Sequence, residues 1–459
     1  MQDAFCGSPF FESYRKRLFL RHERNYMPNF IFISPAFPGN YENFCVALRA
    51  NGVNVLGIGD TPYDCLSPRL KSALTEYYRV ENMENYDEMF RAVAFLSFHH
   101  GKIDYLESNN EYWLTQDARL REDFHITTGL QPKDMDLIKY KSKMKAGYEK
   151  AGIPCARYHL ISDLTSAQNF IREVGYPVIV KPDCGVGAND TWKLTCEAEL
   201  LDFFRHLPSI PYIMEEYVPG EICSYDAIVN SKGSPLFETG NITPISIMDC
   251  VNDHDSIKFY IVEQLAEDLK TCGRACLKAF KVHRRFVHLE FFRLLEDHPY
   301  LGKKGQVVGL EVNMRPSGGP TPDMINFAYN INCYQYYADM MIYDKLRHKT
   351  KTSPAFCVYV GRWKEHPYAH THQEILEHWD KYLKVAEELP EVLAHGMGNY
   401  MYLARFESKD QMDTFCQYAL EIKEPEVLPE IPVKKTTRVR KTAGAKRSSK
   451  ISQKGSENS

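Results

Sequence analysis

The stretch GLEVNMRPSGGPTP, residues 309–322, places Glu311, Asn313 and Arg315 at alternate positions of an otherwise apolar run. Successive side chains of a strand point to opposite faces, so these three share one face while Val312 and Met314 take the other. The residues just before, QVVGL, read as buried strand. The polar face is therefore expected to line a cleft. Asn is disfavoured in strands, which makes Asn313 hard to explain as part of a surface ion-pair network. A polar cleft is the reading, with a surface ion-pair network as the alternative.

The order of elements gives the frame. NFIFIS reads as a strand, PAFPGN as a loop, YENFCVALRANG as a helix closed by Asn-Gly, and VNVLGIGD as a second strand. With the helix in ENYDEMFRAVAFLSFHHG and a strand at KIDYLESNNE ending on Glu111, this is half of an open parallel sheet. Its loop lacks G-x-G-x-x-G, so a dinucleotide site has no support. After the helix in KYKSKMKAGYEKAGI and another in SDLTSAQNFIREVG, capped by Ser162 or Asp163, strands neighbour strands. YPVIVKPDCGVGANDTWKL reads as strand, Gly turn, strand, and SIPYIMEEYVPGEICSYDAIVN as a strand pair about Pro-Gly. Residues 255–281 read as a long helical region, RRFVHLEFFRLL and GQVVGLEVNMRP as strands, with a helix from Asp323. From Ala355, strand, helix (THQEILEHWDKYLKVAEELP), strand and helix form a small C-terminal α/β piece.

Length fits about three domains or subdomains in 459 residues. A net charge of -4 gives no global reason for nucleic acid or a membrane surface, and no run is long and apolar enough to span a bilayer. The segment before Met27 lacks the apolar core and cleavage site of a secretory signal, and Met27, opening a strand at once, is a candidate start. The thirteen cysteines form no C-x-x-C pair, which fits free thiols in a reducing, cytoplasmic setting. Residues 433–459 hold nine Lys or Arg against one Glu and no aromatic. Such a tail cannot bury enough surface to order itself; weak contact with an acidic polymer is the alternative to a solvated role.

Four stretches carry candidate chemistry. Lys181 closes the apolar strand YPVIVKP before a loop with Gly185 and Gly187, and an ammonium beside freed backbone N–H groups suits polyphosphate oxygens. MEEYVPGE reads either as a charged strand end or as a nucleotide hinge. In the second reading the backbone near Glu216 and Val218 meets the adenine edge and a carboxylate lies near the ribose. HLEFF and GLEVNMRP place Glu290, Glu311 and Asn313 on one side of adjacent strands. Two carboxylates and an amide oxygen are hard ligands for Mg²⁺, and burying two acids without a cation is costly. Arg315 adds a planar fork for phosphoryl oxygens. His288 shares the face of Glu290 and reads as its hydrogen-bonded neighbour. Cys184 has no evident His or Asp partner for a nucleophilic role.

In this order and spacing the four stretches resemble the ATP-grasp superfamily, in its carbamoyl-phosphate synthetase-like and biotin-carboxylase-like branch, over residues 29–346. The resemblance implies an α/β plus α+β architecture. An N-terminal extension (1–27) precedes a pre-ATP-grasp α/β domain (28–129), a two-subdomain ATP-grasp domain (130–354), a C-terminal α/β extension (355–425) and a disordered basic tail (426–459). It adds Lys141, from KYKSKMKAGYEKAGIP, as the first ATP lysine, with Lys181 as the second. Glu215, Glu216 and Val218 fall on the hinge, Glu290, Glu311 and Asn313 on the metal site, and Arg315 on the arginine that meets the phosphate or intermediate. Family members often carry a ribose acid at the position of Ile222, where this chain offers only Glu221, one residue early. Ala188 stands where the glycine loop usually continues with Ser.

The implied reaction transfers the γ-phosphoryl of ATP to a carboxylate, with Mg²⁺ or alternatively Mn²⁺, and an amine then displaces phosphate. His254 and Asp255, in ITPISIMDCVNDHDSIKFY, are either a base for the amine or a polar loop tip. Small-molecule carboxylate and amine substrates, no membrane partner, and a homodimer by analogy follow. Two other readings are a carboxylase that activates bicarbonate and an ATP-binding regulatory module without turnover. The complete set Glu290, Glu311, Asn313 and Arg315 argues against the module.

Overall fold

The computed structural model describes residues 27–185, 190–244, 256–347 and 352–423. Gly187, Ala188, His254, Asp255 and the basic tail lie outside the described residues.

Among these residues the strands assemble three sheets. The first holds β1 (Asn29–Ile33), β2 (Asn54–Gly59), β3 (Glu76–Arg79) and β4 (Tyr105–Glu107) in the order β3-β2-β1-β4, all parallel. Its connecting helices stop where the sequence predicts. Tyr86–His100 begins at Asn85, whose side chain accepts from Asp87 N, and ends at Gly101 with φ 81°, a backbone angle that glycine adopts without Cβ strain. β4 ends at Glu107, four residues before the expected Glu111. The chain leaves the ladder through Asn109, at φ 55°.

The second sheet is small: β5 (Tyr158–Leu160), β6 (Val178–Pro182), β7 (Trp192–Leu194) and β8 (Tyr212–Glu216), in the order β5-β8-β6-β7. As expected, β6 and β7 pair across the glycine loop, Val180 opposite Trp192. The third sheet contains β9 (Gly220–Val229), β10 (Pro235–Thr239), β11 (Asn241–Thr243), β12 (Ile257–Ile261), β13 (Arg285–Leu294), β14 (Val307–Asn313), β15 (Phe356–Arg362), β16 (Leu383–Glu388) and β17 (Tyr400–Phe406).

Four expectations change. β8 and β9 are not a hairpin, because each joins a different sheet and the Val218–Gly220 segment crosses between them. Val218 is buried with Ala156, Leu294, Leu301 and Val308, which anchors the crossing. Residues 255–281 are not one helix. Ile257, Phe259 and Ile261 are buried in alternation, the two-residue period of β12, and the helix runs only from Glu267 to Ala279. THQEILEHWDKYLKVAEELP splits into the helix His372–Trp379 and strand β16, which pairs with β17. The C-terminal strands are no separate layer, since β12 pairs with β15 and carries the central sheet into β17 and β16.

The first sheet is tied to the third by a buried ion cluster. Arg285, at the start of β13, donates Nη1 to Glu107 Oε2 (2.7 Å) and Nη2 to Oε1 (2.8 Å), and Arg121 Nη2 reaches Glu107 Oε2 at 2.8 Å. Burial would raise the Glu107 carboxyl, but the two guanidinium groups hold it below its ordinary range. Charge so enclosed persists only when fully paired, and here the pairing fixes the loop after β4 against the central sheet.

The helix Lys141–Ala151 is seated equally closely. A Cβ on Gly147 would stand 2.2 Å from the ring of Phe280, which is buried. Gly147→Ala is therefore expected to destabilise the fold by about 1–3 kcal/mol through overpacking, read as a lower urea midpoint. An unchanged midpoint would contradict this packing.

Candidate active site between the small and central sheets

β13 and β14 run antiparallel with Glu290 directly opposite Glu311 and His288 opposite Asn313. The pleat then puts both acids, the amide and the imidazole on one face. The register slips after Glu290, where a bulge precedes Phe291. Side-chain exposure is 28% for Glu290 and 22% for Glu311, so both carboxylates remain reachable from the cleft.

His288 fixes the first of them. Its Nδ1 lies 2.8 Å from Asp226 Oδ1 on β9 and its Nε2 lies 3.2 Å from Glu290 Oε1. Burial would lower the imidazole pKa, but Asp226 and then Glu290 outweigh it and push it up to about 9. Flanked by the two carboxylates, the ring is favoured in its protonated form, in which both nitrogens donate. Glu290 is lowered in turn: burial opposes ionisation, and the hydrogen bond and charge of His288, with Arg315 and Lys181, overcome it. His288 is the hydrogen-bonded neighbour the sequence suggested, with Asp226 as an unforeseen support behind it.

Lys141 opens its helix and places Nζ 3.3 Å from Glu311 Oε1. Its backbone N donates to Asp183 O at 2.8 Å. The next residue, Ser142, donates from N and Oγ to the two Asp183 carboxylate oxygens, both at 2.8 Å. A carboxylate on the first N–H groups of a helix satisfies orphan donors and suits the helix dipole. Asp183 follows β6 by one residue, so this cap joins the element bearing Lys141 to the strand bearing Lys181. Gly185 is described and stands partly exposed in the same loop.

Lys181 Nζ lies 2.6 Å from Glu215 Oε2, and Lys145 pairs with Glu215 Oε1. All three side chains are buried. Burial raises the Glu215 carboxyl, yet the two ammonium groups, Lys145 first, bring it down to about 2. Lys181 is raised overall: burial would lower it, and Glu215 and then Glu311 more than compensate. Glu216 is used differently. Arg157 donates N and Nε to its carboxylate, each at 2.8 Å, and the Glu216 backbone N donates to Arg157 O at 3.0 Å. Its carboxylate is thus committed to Arg157. Glu221 is half-buried near the start of β9, opposite Arg293.

Arg315 follows β14 and turns back on it. Nη2 donates to Asn313 Oδ1 at 3.1 Å and Nη1 to Pro316 O at 2.9 Å. Across the cleft the structure therefore brings together Lys141, Lys181, Glu290, Glu311, Asn313 and Arg315. It adds Lys145, Asp183, Arg157 and Asp226, which the sequence reading missed. Lys145 had a legible signal, four residues after Lys141 on one helix face. The others are separated in sequence from what they hold.

No family model matches the chain. Solved structures do. The L-amino acid ligase of Bacillus licheniformis superposes with a TM-score of 0.63 at 15% identity, covering 85% of this chain and 96% of the ligase. The chain has the ATP-grasp fold. The ADP complex of N5-carboxyaminoimidazole synthetase from Staphylococcus aureus gives 0.62 at 13% identity, over 86% of this chain and 97% of that one. The biotin carboxylase domain of the Hydrogenobacter thermophilus 2-oxoglutarate carboxylase, a dimer with MgADP and bicarbonate, gives 0.60 at 14%, over 87% and 91%. Among the described residues no helix is long and apolar enough to cross a membrane. Among them also, no group of three or more His, Cys, Asp or Glu side chains forms a self-sufficient metal site. The set Glu290, Glu311 and Asn313, two carboxylates and one amide oxygen, is of the hard-oxygen kind that suits a divalent cation completed by waters and phosphate oxygens.

Proposed function

We propose that the protein is an ATP-dependent, ADP-forming ligase that activates a small carboxylate as an acyl phosphate and joins it to an amine. The observation that carries this reading is the Lys141–Glu311 contact, 3.3 Å long. It brings a phosphate-binding cation to the face that holds Glu290 and Asn313, with Lys181 approaching from the other sheet.

The roles follow from charge and position. Lys141 and Lys181 hold the phosphate oxygens, and the Glu216–Val218 backbone receives the adenine. Gly185, with Gly187, belongs to the loop over the phosphates. Glu215 holds Lys181 and Lys145 in place, and Glu221 is the nearest acid to the family's ribose position. Glu290, Glu311 and Asn313 would hold the divalent cation, Mg²⁺ with Mn²⁺ as the alternative. Once bound, that cation supplies neutralisation of triphosphate charge. A substrate carboxylate oxygen attacks the γ-phosphorus as the bond to ADP breaks. Arg315 balances the charge on the resulting acyl phosphate. An amine nitrogen then bonds to the acyl carbon, inorganic phosphate leaves, and the nitrogen releases its proton. No protein nucleophile is required, since phosphoryl transfer depends on positioning and charge, and Cys184 is an exposed free thiol. The described cysteines are all free, which supports a reducing, cytoplasmic location; a homodimer remains part of the proposal by analogy.

The test is ADP release from the full chain with ATP and Mg²⁺ against paired panels of carboxylates and primary amines, with bicarbonate alone as a separate arm. Turnover that needs both a carboxylate and an amine is expected. Bicarbonate-dependent turnover would replace the reading with a carboxylase, and no stimulation by any pair would replace it with a non-catalytic ATP-binding module.

A further inference from the structure

The cleft has a third wall, from the parallel sheet. Beyond β4 the chain turns through Asn109 to Glu111. Lys139 Nζ donates to the Glu111 carbonyl oxygen at 2.8 Å and to Oε1 at 2.9 Å. Glu111 is only 6% exposed. Among the described residues its other oxygen, Oε2, is buried and accepts no hydrogen bond. Arg315 Nε stands 3.8 Å from it, outside hydrogen-bond range, because the arginine fork is turned toward Asn313 and Pro316. An ionised oxygen so enclosed needs a donor.

A second acceptor lies on the adjoining turn. Asn40 donates Nδ2 to Gly319 O and to Asp323 Oδ2, each at 3.0 Å, while its Oδ1 is buried with no partner among the described residues. The turn Gly39–Tyr41 is held to the Glu111 loop, since Tyr41 OH donates to Asn109 O at 2.8 Å. Both segments follow carboxyl ends of parallel strands, the edge at which open α/β sheets bind ligands.

The two orphan atoms are acceptors, one of them anionic. A primary ammonium has three donors and no acceptor. We propose that Glu111, braced by Lys139 and assisted by Asn40, seats the ammonium end of the amine substrate, and that this substrate is a primary amine. The inference rests on the ligase reading. Its geometry is apt, because the seat adjoins Arg315, the group assigned to the acyl phosphate; Glu111 Oε2 takes one proton from the seated ammonium, and the freed nitrogen lone pair then attacks the acyl carbon as phosphate leaves.

Hydroxylamine provides the discriminating probe. It is largely unprotonated at neutral pH and captures acyl phosphates as hydroxamates without needing an ammonium seat. In Glu111→Gln, hydroxamate formation from the accepted carboxylate should persist. The ratio of kcat/KM for the primary amine to that for hydroxylamine should fall about 10- to 100-fold, the loss of one charged hydrogen bond. A folded variant with an unchanged ratio overturns the seat and leaves the ligase reading standing. Wild-type protein that yields neither hydroxamate nor ADP with any carboxylate overturns the ligase reading, and the seat falls with it. Glu111→Asp, which keeps the charge beside Lys139 but withdraws the oxygens, gives the same readout if Glu111→Gln does not fold.

Discussion

Glu311→Gln is expected to lower ADP formation by at least about 10³-fold, the scale of removing several kcal/mol of charge stabilisation from a phosphoryl-transfer site. The substitution keeps shape and one oxygen but removes the negative charge. Glu311 sits opposite Glu290 in the β13–β14 register and 3.3 Å from Lys141, so it acts on both the cation site and the phosphate lysine. The fold should survive, because the side chain is 22% exposed and the partner left behind, Lys141, heads a helix already capped through Asp183. The measurement is steady-state ADP release beside a thermal melt. Turnover within tenfold of wild type in a folded variant would remove Glu311 from the site.

Glu215→Gln should act on stability first. Here the carboxylate is enclosed between Lys145 and Lys181, all three side chains being buried. Removing its charge leaves two like charges together in a poorly solvated place, a loss of about 3–5 kcal/mol by comparison with other broken buried pairs. Urea unfolding reads this directly. Adding Lys145→Gln should recover part of the loss, and a double variant no more stable than the single would contradict the assignment. The same pairing sets a pH dependence. The folded Glu215 carboxyl, lowered to about 2, lies below its ordinary value of 4.5. Its contribution is therefore complete above the unfolded value and is lost as pH falls from there through the folded one. In Glu215→Gln that part of the acid-side slope should vanish. A wild-type slope retained between those two values would place the titration elsewhere.

The site was legible where local periodicity carried it. The alternation of Glu311 with Asn313, and of His288 with Glu290, fixed which side chains share a face before any pairing was known, because a strand has a two-residue period; Arg315, expected on the same strand face, lies past the end of β14 and turns back onto Asn313. Helix ends at Asn51 and Asp163 were legible for similar reasons, as caps depend on neighbours only a few residues away. The errors fell where a segment's state depends on what it meets. Residues 257–261 and 383–388 read as continuations of helices, yet each became a strand by pairing, β12 with β15 and β16 with β17. MEEYVPGEI read as a hairpin because Pro-Gly is a turn signal, and it became a crossing between sheets. Nothing in those nine residues encodes that β8 pairs with β6 while β9 pairs with β13.

By itself, then, the chain's order of residues determined the strand faces, the locally capped helix ends and the kinds of chemical group available: two carboxylates, an amide, a guanidinium and a lysine before a glycine loop. Only the tertiary structure decided which charges neutralise which. Asp183 and Ser142 are 41 residues apart, Arg157 and Glu216 are 59 apart, and Glu107 and Arg285 are 178 apart. The physical reason is range. Backbone periodicity and capping act over a few residues along the chain, whereas a buried charge is set by whatever distant segment the fold brings within a few ångströms.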